Sequence, residues 1–266
     1  VLRIGEGNPD LDGIASINHL AGLSFREYLK HQTGKDFRIY SLEEIINNHI
    51  KIAKEIVNEV RPLAYFDDYL KHGYFPYFMD DPNFYVNRLL KHINLALEID
   101  VPYINQIELK YLSKLRKLLQ IIAAETPFTP NVSKLATAVQ TSRATIMNYL
   151  KYLKNAKLIH MLHSNGDDDQ LKKPDKVYLH NPNLIYAIAP NNTDNLHLRQ
   201  TFFYNQVGYK CQLTTSAKAD FCVNGKHHFI VGGRKLEPST GVYAASDVIE
   251  VGEGNKIPLW LFGFLY

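Results

Sequence analysis

Cysteine is nearly missing from this chain: Cys211 and Cys222 are the two in 266 residues. Two thiols cannot build a metal knuckle alone, and in a reducing compartment they read as small buried hydrophobes rather than a disulfide. No apolar run approaches the roughly 18 residues that a membrane span requires, and no basic stretch precedes an apolar core at the start, so neither a membrane helix nor a signal peptide is expected. The chain reads as cytoplasmic. Charge of one sign is not in excess, since 30 Lys and Arg against 27 Asp and Glu leave +3, too balanced to name a partner. A phosphate cradle is also wanting: Gly-x-x-x-x-Gly-Lys-[Ser/Thr] occurs nowhere. What remains, 45% hydrophobic and 21% charged, excludes disorder and fibrous repeats and suggests about two domains from length. The first residue is Val1 and not Met, and the chain is read as the remainder of something longer.

The first third is helical in pattern. Over 41–60, Leu42, Ile45, Ile46, Ile50, Ile52, Ala53, Ile56 and Val57 recur at three- and four-residue steps, the stripe of an amphipathic helix. Ser41 and Glu44 fit a capping box at its start, and Pro62 ends it. Helices are expected over 66–71 and 82–98, the second with Val86, Leu89, Leu90, Ile93 and Leu97 on one face. Between them, residues 73–78 gather aromatics around Pro76, which reads as a packed corner.

A different grammar begins near Ile107. Helices are expected over 108–124, 132–139 and 142–155, with a tight turn at Gln140-Thr141. Two apolar pieces, 158–162 and 176–179, then flank a polar tip holding Asp167, Asp168 and Asp169, which reads as a two-stranded wing. In the last of these helices Ile146, Tyr149, Leu150 and Leu153 face inward, leaving Ala144, Asn148, Lys151 and Asn155 outward. With Ser142 and Arg143 at its tip, this helix suits a major groove, its first turn reaching phosphates. Ser142, Arg143, Asn148 and Lys151 are therefore the candidate DNA contacts. Residues 107–180 carry 12 basic and 6 acidic side chains, a net +6 that leaves −3 for the rest. A protein-protein or interdomain role fits the same pattern, and the three wing aspartates would repel a phosphate backbone. Base-specific readout is not expected.

The last third alternates apolar segments with Gly and Asn turns. A helix is expected near 196–207, then a hairpin of 219–223 and 228–231 joined at Asn224-Gly225. Further helix or strand material is expected over 242–251, and 257–266 reads as a buried strand that tolerates Pro258 and Gly263 near its ends. Helix plus hairpin is the layout of PD-(D/E)xK nucleases, in which two carboxylates and a carbonyl hold a divalent cation and a Lys serves the attacking water. Here Asp220 and Lys235 stand as remnants of such a site, while Ile230 and Gln200 occupy the other acidic positions. A lone carboxylate cannot hold Mg²⁺ productively, so Asp220 reads as a hydrogen-bonding residue. His227 and His228, adjacent on a strand, point to opposite faces and cannot chelate together.

Along nearly its whole length the chain resembles the part, downstream of the nucleotide-binding core, of prokaryotic AAA+ ATPases that join a P-loop domain, a helical lid, a winged helix and a restriction-endonuclease-like domain. The resemblance rests on Gly22-Leu23-Ser24-Phe25-Arg26-Glu27-Tyr28-Leu29, Tyr69-Leu70-Lys71-His72-Gly73-Tyr74-Phe75-Pro76 and Leu97-Glu98-Ile99-Asp100-Val101-Pro102 in the lid. Ser142-Arg143-Ala144-Thr145 in the winged helix, Gln200-Thr201-Phe202-Phe203-Tyr204-Asn205-Gln206, Val231-Gly232-Gly233 and 255–266 complete it. It implies an α+β multidomain chain: a helical lid over 1–104, a winged helix-turn-helix over 105–180, and a small α/β endonuclease-like domain over 181–266, degenerate and non-cleaving. It further implies an AAA+ core as partner, ATP and Mg in the intact protein and none in this part, and no membrane. The resemblance would bring Arg26 near the nucleotide, but a structural pairing with Glu27 or a neighbour is the reading its position favours. The family's paired arginines near the start are replaced by Asp12-Gly13-Ile14. The expected role is binding and interdomain coupling rather than catalysis; a stand-alone winged-helix DNA-binding regulator and a Mg-dependent nuclease are the alternatives.

Overall fold

A computed structural model describes residues 20–125, 127–164, 172–191 and 194–266. The expectations about 1–19, including Asp12-Gly13-Ile14, and about the tip aspartates 167–169 lie outside the described residues.

Local chemistry starts the first helices. Helix α1 (Phe25–Thr33) opens with a capping box in which Ser24 Oγ accepts from Glu27 N and the Glu27 carboxylate accepts from Ser24 N, and it stops at Gly34 with φ 71°. Helix α2 (Leu42–Glu59) opens with the expected Ser41/Glu44 box. Its buried stripe is Leu42, Ile45, Ile46, His49, Ile52, Ala53 and Ile56; Ile50 is exposed, because at 100° per residue it falls off the stripe that His49 completes. Helix α3 (Leu63–His72) begins directly after Pro62, where a missing N–H costs nothing.

Residues 73–78 form the packed corner that their aromatics suggest. Tyr74 and Phe78 are buried, and Tyr77 stacks on Phe75 at 5.6 Å and on His92 at 5.0 Å. The helix expected over 82–98 is instead broken into three. A 3-10 turn, Pro82–Phe84, leads into α4 (Tyr85–Leu95), then a π turn, Ala96–Asp100, then α5 (Val101–Asn105). Pro102 has no N–H for the ladder, and Val101 N reaches back five residues to Ala96 O, so the widened turn takes up the mismatch. Tyr85 rather than Val86 joins Leu89, Ile93 and Leu97 inside.

A 3-10 turn (Leu109–Tyr111) precedes α6 (Leu112–Glu125), followed by α7 (Val132–Val139) and α8 (Arg143–Asn155). Strands β1 (Ile159–Leu162) and β2 (Lys176–Leu179) pair antiparallel, with Ile159 opposite Leu179. Phe128 adds a bridge to Val177 on the same sheet.

Asn181 then caps a short helix that the periodicity does not announce, α9 (Pro182–Ile188). Helix α10 (Asn195–Gly208) lies against a five-stranded sheet ordered β3 (Leu213–Thr214), β4 (Phe221–Val223), β5 (His227–Gly232), β6 (Tyr243–Ser246) and β7 (Lys256–Pro258). The first three strands are antiparallel and the last three parallel. Asn224 (φ 53°) and Gly225 (φ 66°) turn the predicted hairpin. The strand expected over 257–266 ends at Pro258 and continues as a buried 3-10 helix, Leu259–Phe264. The lone Trp260 fixes that turn by donating Nε1–H to Ile249 O.

One core runs through all three segments of the α+β chain. Phe25 meets Phe66, Tyr69 and Phe264 edge-on, and Phe66 meets Phe202. A Cβ on Gly263 would lie 2.4 Å from Phe25 Cβ, so only glycine admits α1 this closely. Asn183 on α9 donates to Tyr69 O and Leu70 O and accepts from Tyr74 N and Tyr85 Oη. Gln206 on α10 accepts from Phe25 N and lies within hydrogen-bond reach of the Tyr69 and Tyr266 hydroxyls. No helix among the described residues is long and apolar enough to cross a membrane.

Candidate nucleic-acid interface

The turn between α7 and α8 is made by Gln140 in the left-handed region (φ 56°). Lys114 Nζ donates to the Gln140 carbonyl, tying the turn to α6. Helix α8 then begins at Ser142, whose Oγ accepts from Thr145 N at 3.0 Å and contacts Thr145 Oγ1 at 2.8 Å. The hydroxyl expected at a phosphate is thus engaged as a cap.

Beyond the cap the two faces separate as the spacing requires. Ile146, Tyr149, Leu150 and Leu153 are buried; Arg143, Ala144, Asn148 and Lys151 are exposed. Arg143 and Met147, and Ala144 and Asn148, are one turn apart, so these side chains form a band about two turns long. An open depression of about 290 Å³ lies at the start of that band, lined by Val132, Arg143, Ala144, Met147 and Lys173. Its lining is mixed, three apolar side chains with two cations. Among the described residues Arg143, Lys151 and Lys173 have no ion-pair partner, whereas Lys110 is matched by Glu108 and Arg116 by Glu98. Lys173, Val132 and Met147 were not singled out by sequence reasoning. The doublet Lys172-Lys173 ahead of Pro174 is the signal that could have found the first; the other two need the packing of α7 on α8.

The remaining candidates fall elsewhere. Asp220 Oδ2 accepts from Val231 N at 2.8 Å while its own N–H donates to Phe229 O, so the carboxylate ties β4 to β5. Lys235 is exposed just after β5, Gln200 is buried on α10, and Ile230 is half-buried in β5. No group of three or more His, Cys, Asp or Glu among the described residues is placed to hold a metal ion. At the carboxyl ends of β5 and β6 a pair that sequence reasoning missed stands instead: Arg199 Nε donates to Asp247 Oδ2 at 2.7 Å, and Asp247 N donates to Gly232 O. Arg26 is spoken for as well. It donates to Tyr266 O and Phe37 O and pairs with Glu27 at 3.5 Å and Asp36 at 3.8 Å, the structural pairing rather than an open guanidinium.

The histidines divide by face. His227 Nε2 meets Glu43 Oε1 at 2.9 Å, and His228 Nδ1 meets Ser216 Oγ at 2.9 Å. The hydrogen bond with His227, with Lys226 nearby, holds the Glu43 carboxyl below its usual range. His160 and His180 stack at 4.4 Å, with Tyr204 on the far side of His160 at 4.3 Å. Burial drives both imidazoles towards the neutral form, His180 down to about 3.

Three comparisons bear on identity. The Uncharacterized protein MJ1637 of Methanocaldococcus jannaschii is 25% identical over 177 residues, 64% of this chain and 37% of that protein. The chain thus spans just over a third of the length of the curated relative it matches. No solved structure matches it. Residues 63–195, half of the chain and reaching from α3 to the start of α10, match the family described as "Domain of unknown function (DUF8612)", and the chain belongs to that family.

Proposed function

We propose that this chain works by binding rather than by catalysis, with α6 to β2 acting as a winged helix that docks on duplex DNA through α8. The observation that carries the reading is the coincidence, on one exposed band, of small and polar residues with three cations that have no acidic partner among the described residues. Arg143 and Lys173 flank the first turn of α8 and Lys151 lies two turns along, a spacing suited to phosphates on both sides of a major groove. Elsewhere on the same unit the cations Lys110 and Arg116 are paired with Glu108 and Glu98.

The resemblance to AAA+ lid, winged-helix and endonuclease-like regions supplies the setting. In that reading a P-loop core, with its ATP and Mg, is the partner, and its nucleotide state is passed through the lid to the DNA-bound unit. Residues 181–266 are a non-cleaving endonuclease-like domain, which fits an Asp220 carboxylate engaged in strand pairing. The length of the Methanocaldococcus relative beyond the matched part is consistent with such a partner.

Fluorescence anisotropy of residues 1–266 on a fluorescein-labelled duplex, over a salt series, tests the binding. Affinity should fall steeply with salt, and the combined Arg143→Ala, Lys151→Ala, Lys173→Ala variant should flatten the slope of log K against log salt by roughly 0.9 for each phosphate no longer neutralised. Absence of binding at low salt sinks the reading.

A further inference from the structure

Resting on that DNA-binding reading, and against the expectation from the sequence that bases are not read, we infer that α8 reads an A·T-containing step in the major groove, with Asn148 on adenine and the depression beside Ala144 and Met147 taking the thymine methyl.

Four observations converge. First, Asn148 is exposed and its side chain holds no hydrogen bond among the described residues; it stands in the middle of the outward band, so its amide can meet a base edge. An asparagine amide, with one donor and one acceptor in a plane, matches the N6 donor and N7 acceptor that only adenine displays in the major groove. Second, exposed Ala144 lies one turn before Asn148, and with Val132 and Met147 it supplies the apolar part of the depression's lining. Apolar side chains beside the amide favour the thymine C5 methyl and gain nothing from a cytosine edge. Third, Arg143 and Lys173 line the same depression, where they would grip the backbone and hold the apolar side chains against the bases; phosphates position and bases specify. Fourth, residues 145–150 include no Arg, Lys, Asp or Glu, so the side chains that read guanine or cytosine are lacking between Arg143 and Lys151, which the proposed docking assigns to phosphates. The rise of about 5.4 Å per helical turn separates the two recognition elements by more than one base-pair spacing, which places the methyl and the adenine in neighbouring pairs.

The test changes the DNA as well as the protein. Duplexes of about 20 base pairs with A·T-rich and G·C-only centres are compared by anisotropy at one salt concentration, together with A·T duplexes carrying deoxyuridine for thymidine or 7-deazaadenine for adenine. The A·T-rich duplex should bind on the order of tenfold tighter than the G·C one. Removing the methyl and removing N7 should each erase several-fold of that preference, and Asn148→Ala should abolish the sensitivity to 7-deazaadenine while keeping the salt slope. Salt-dependent binding that ignores composition and both analogues overturns this inference and leaves the DNA-binding reading standing. Equal or tighter binding to an A-form RNA duplex also overturns it, because that deep major groove is closed to a helix. Failure to bind any duplex removes both.

Discussion

His160 on β1 and His180 just past β2 are stacked imidazoles 4.4 Å apart, an arrangement that tolerates neutral rings and not two cations. Lys154 on α8 and Lys157 just past it strengthen the bias, and Tyr204 from α10 and Tyr74 from the aromatic corner pack against the rings. Burial is the leading cause and the neighbouring cations add to it, so protonation is held off far below the ordinary imidazole value of 6.5, to about 3 for His180. The unfolded chain therefore binds protons that the folded chain refuses. The part of the stability tied to His180 is fully present above about pH 6.5 and drains away as pH falls towards 3, by at most about 1.4 kcal/mol per pH unit, and His160 acts in the same direction. Urea midpoints at pH 7 and pH 5 should show this loss, and His180→Phe should shrink it; a midpoint indifferent to pH across that window contradicts the account. The kind of role was legible beforehand for Asp220, as a hydrogen-bonding residue, and for Arg26, as a structural pairing, but the partners were not. Ser142, Asp220 and Arg26 stood at suggestive positions, yet their polar atoms are consumed by Thr145 N, Val231 N and the carbonyls of Phe37 and Tyr266, partners that only folding supplies.

At the scale of elements, α8 owes its start to Ser142. Ser142→Ala should cost about 1 kcal/mol of stability while leaving the DNA affinity of the folded protein within about twofold, whereas Arg143→Ala should weaken affinity and spare stability. Urea denaturation and anisotropy on both variants separate a capping role from a DNA-binding one, and a large loss of affinity in Ser142→Ala would put its hydroxyl on the DNA after all. Elements written in local chemistry were readable in advance: the boxes at Ser41/Glu44, the 132–139 helix, the Asn224-Gly225 turn. Those that depend on distant packing were not. The π turn at 96–100 answers to Pro102, α9 is held by Asn183 reaching α3 and Tyr85, and the 259–264 turn closes because Trp260 finds Ile249 O.

For the whole molecule, three stretches of distinct sequence character share one buried interior. The first is stitched to the last by Phe25, Phe66 and Phe202 and by the side chains of Asn183 and Gln206, and the middle to the last by Tyr178 on Phe221 and by Asn205 donating to His180 O. Periodicity marks where each stretch lies in the chain but carries no information on contacts across it. Unfolding should accordingly be one cooperative event. Trp260 fluorescence, reporting the last stretch, and far-ultraviolet dichroism, reporting the helices, should give coincident urea curves; separated midpoints would show that the interior divides. The pairing of Arg26 with Tyr266 O spans 240 residues. At a synthesis rate of roughly 5–20 residues per second, the guanidinium leaves the ribosome on the order of ten seconds or more before its acceptor exists. During that interval α3 can already cover one side of Phe25 through Phe66 and Tyr69, but the side that Gly263 and Phe264 close stays open until synthesis ends, which is where a chaperone would find this nascent chain.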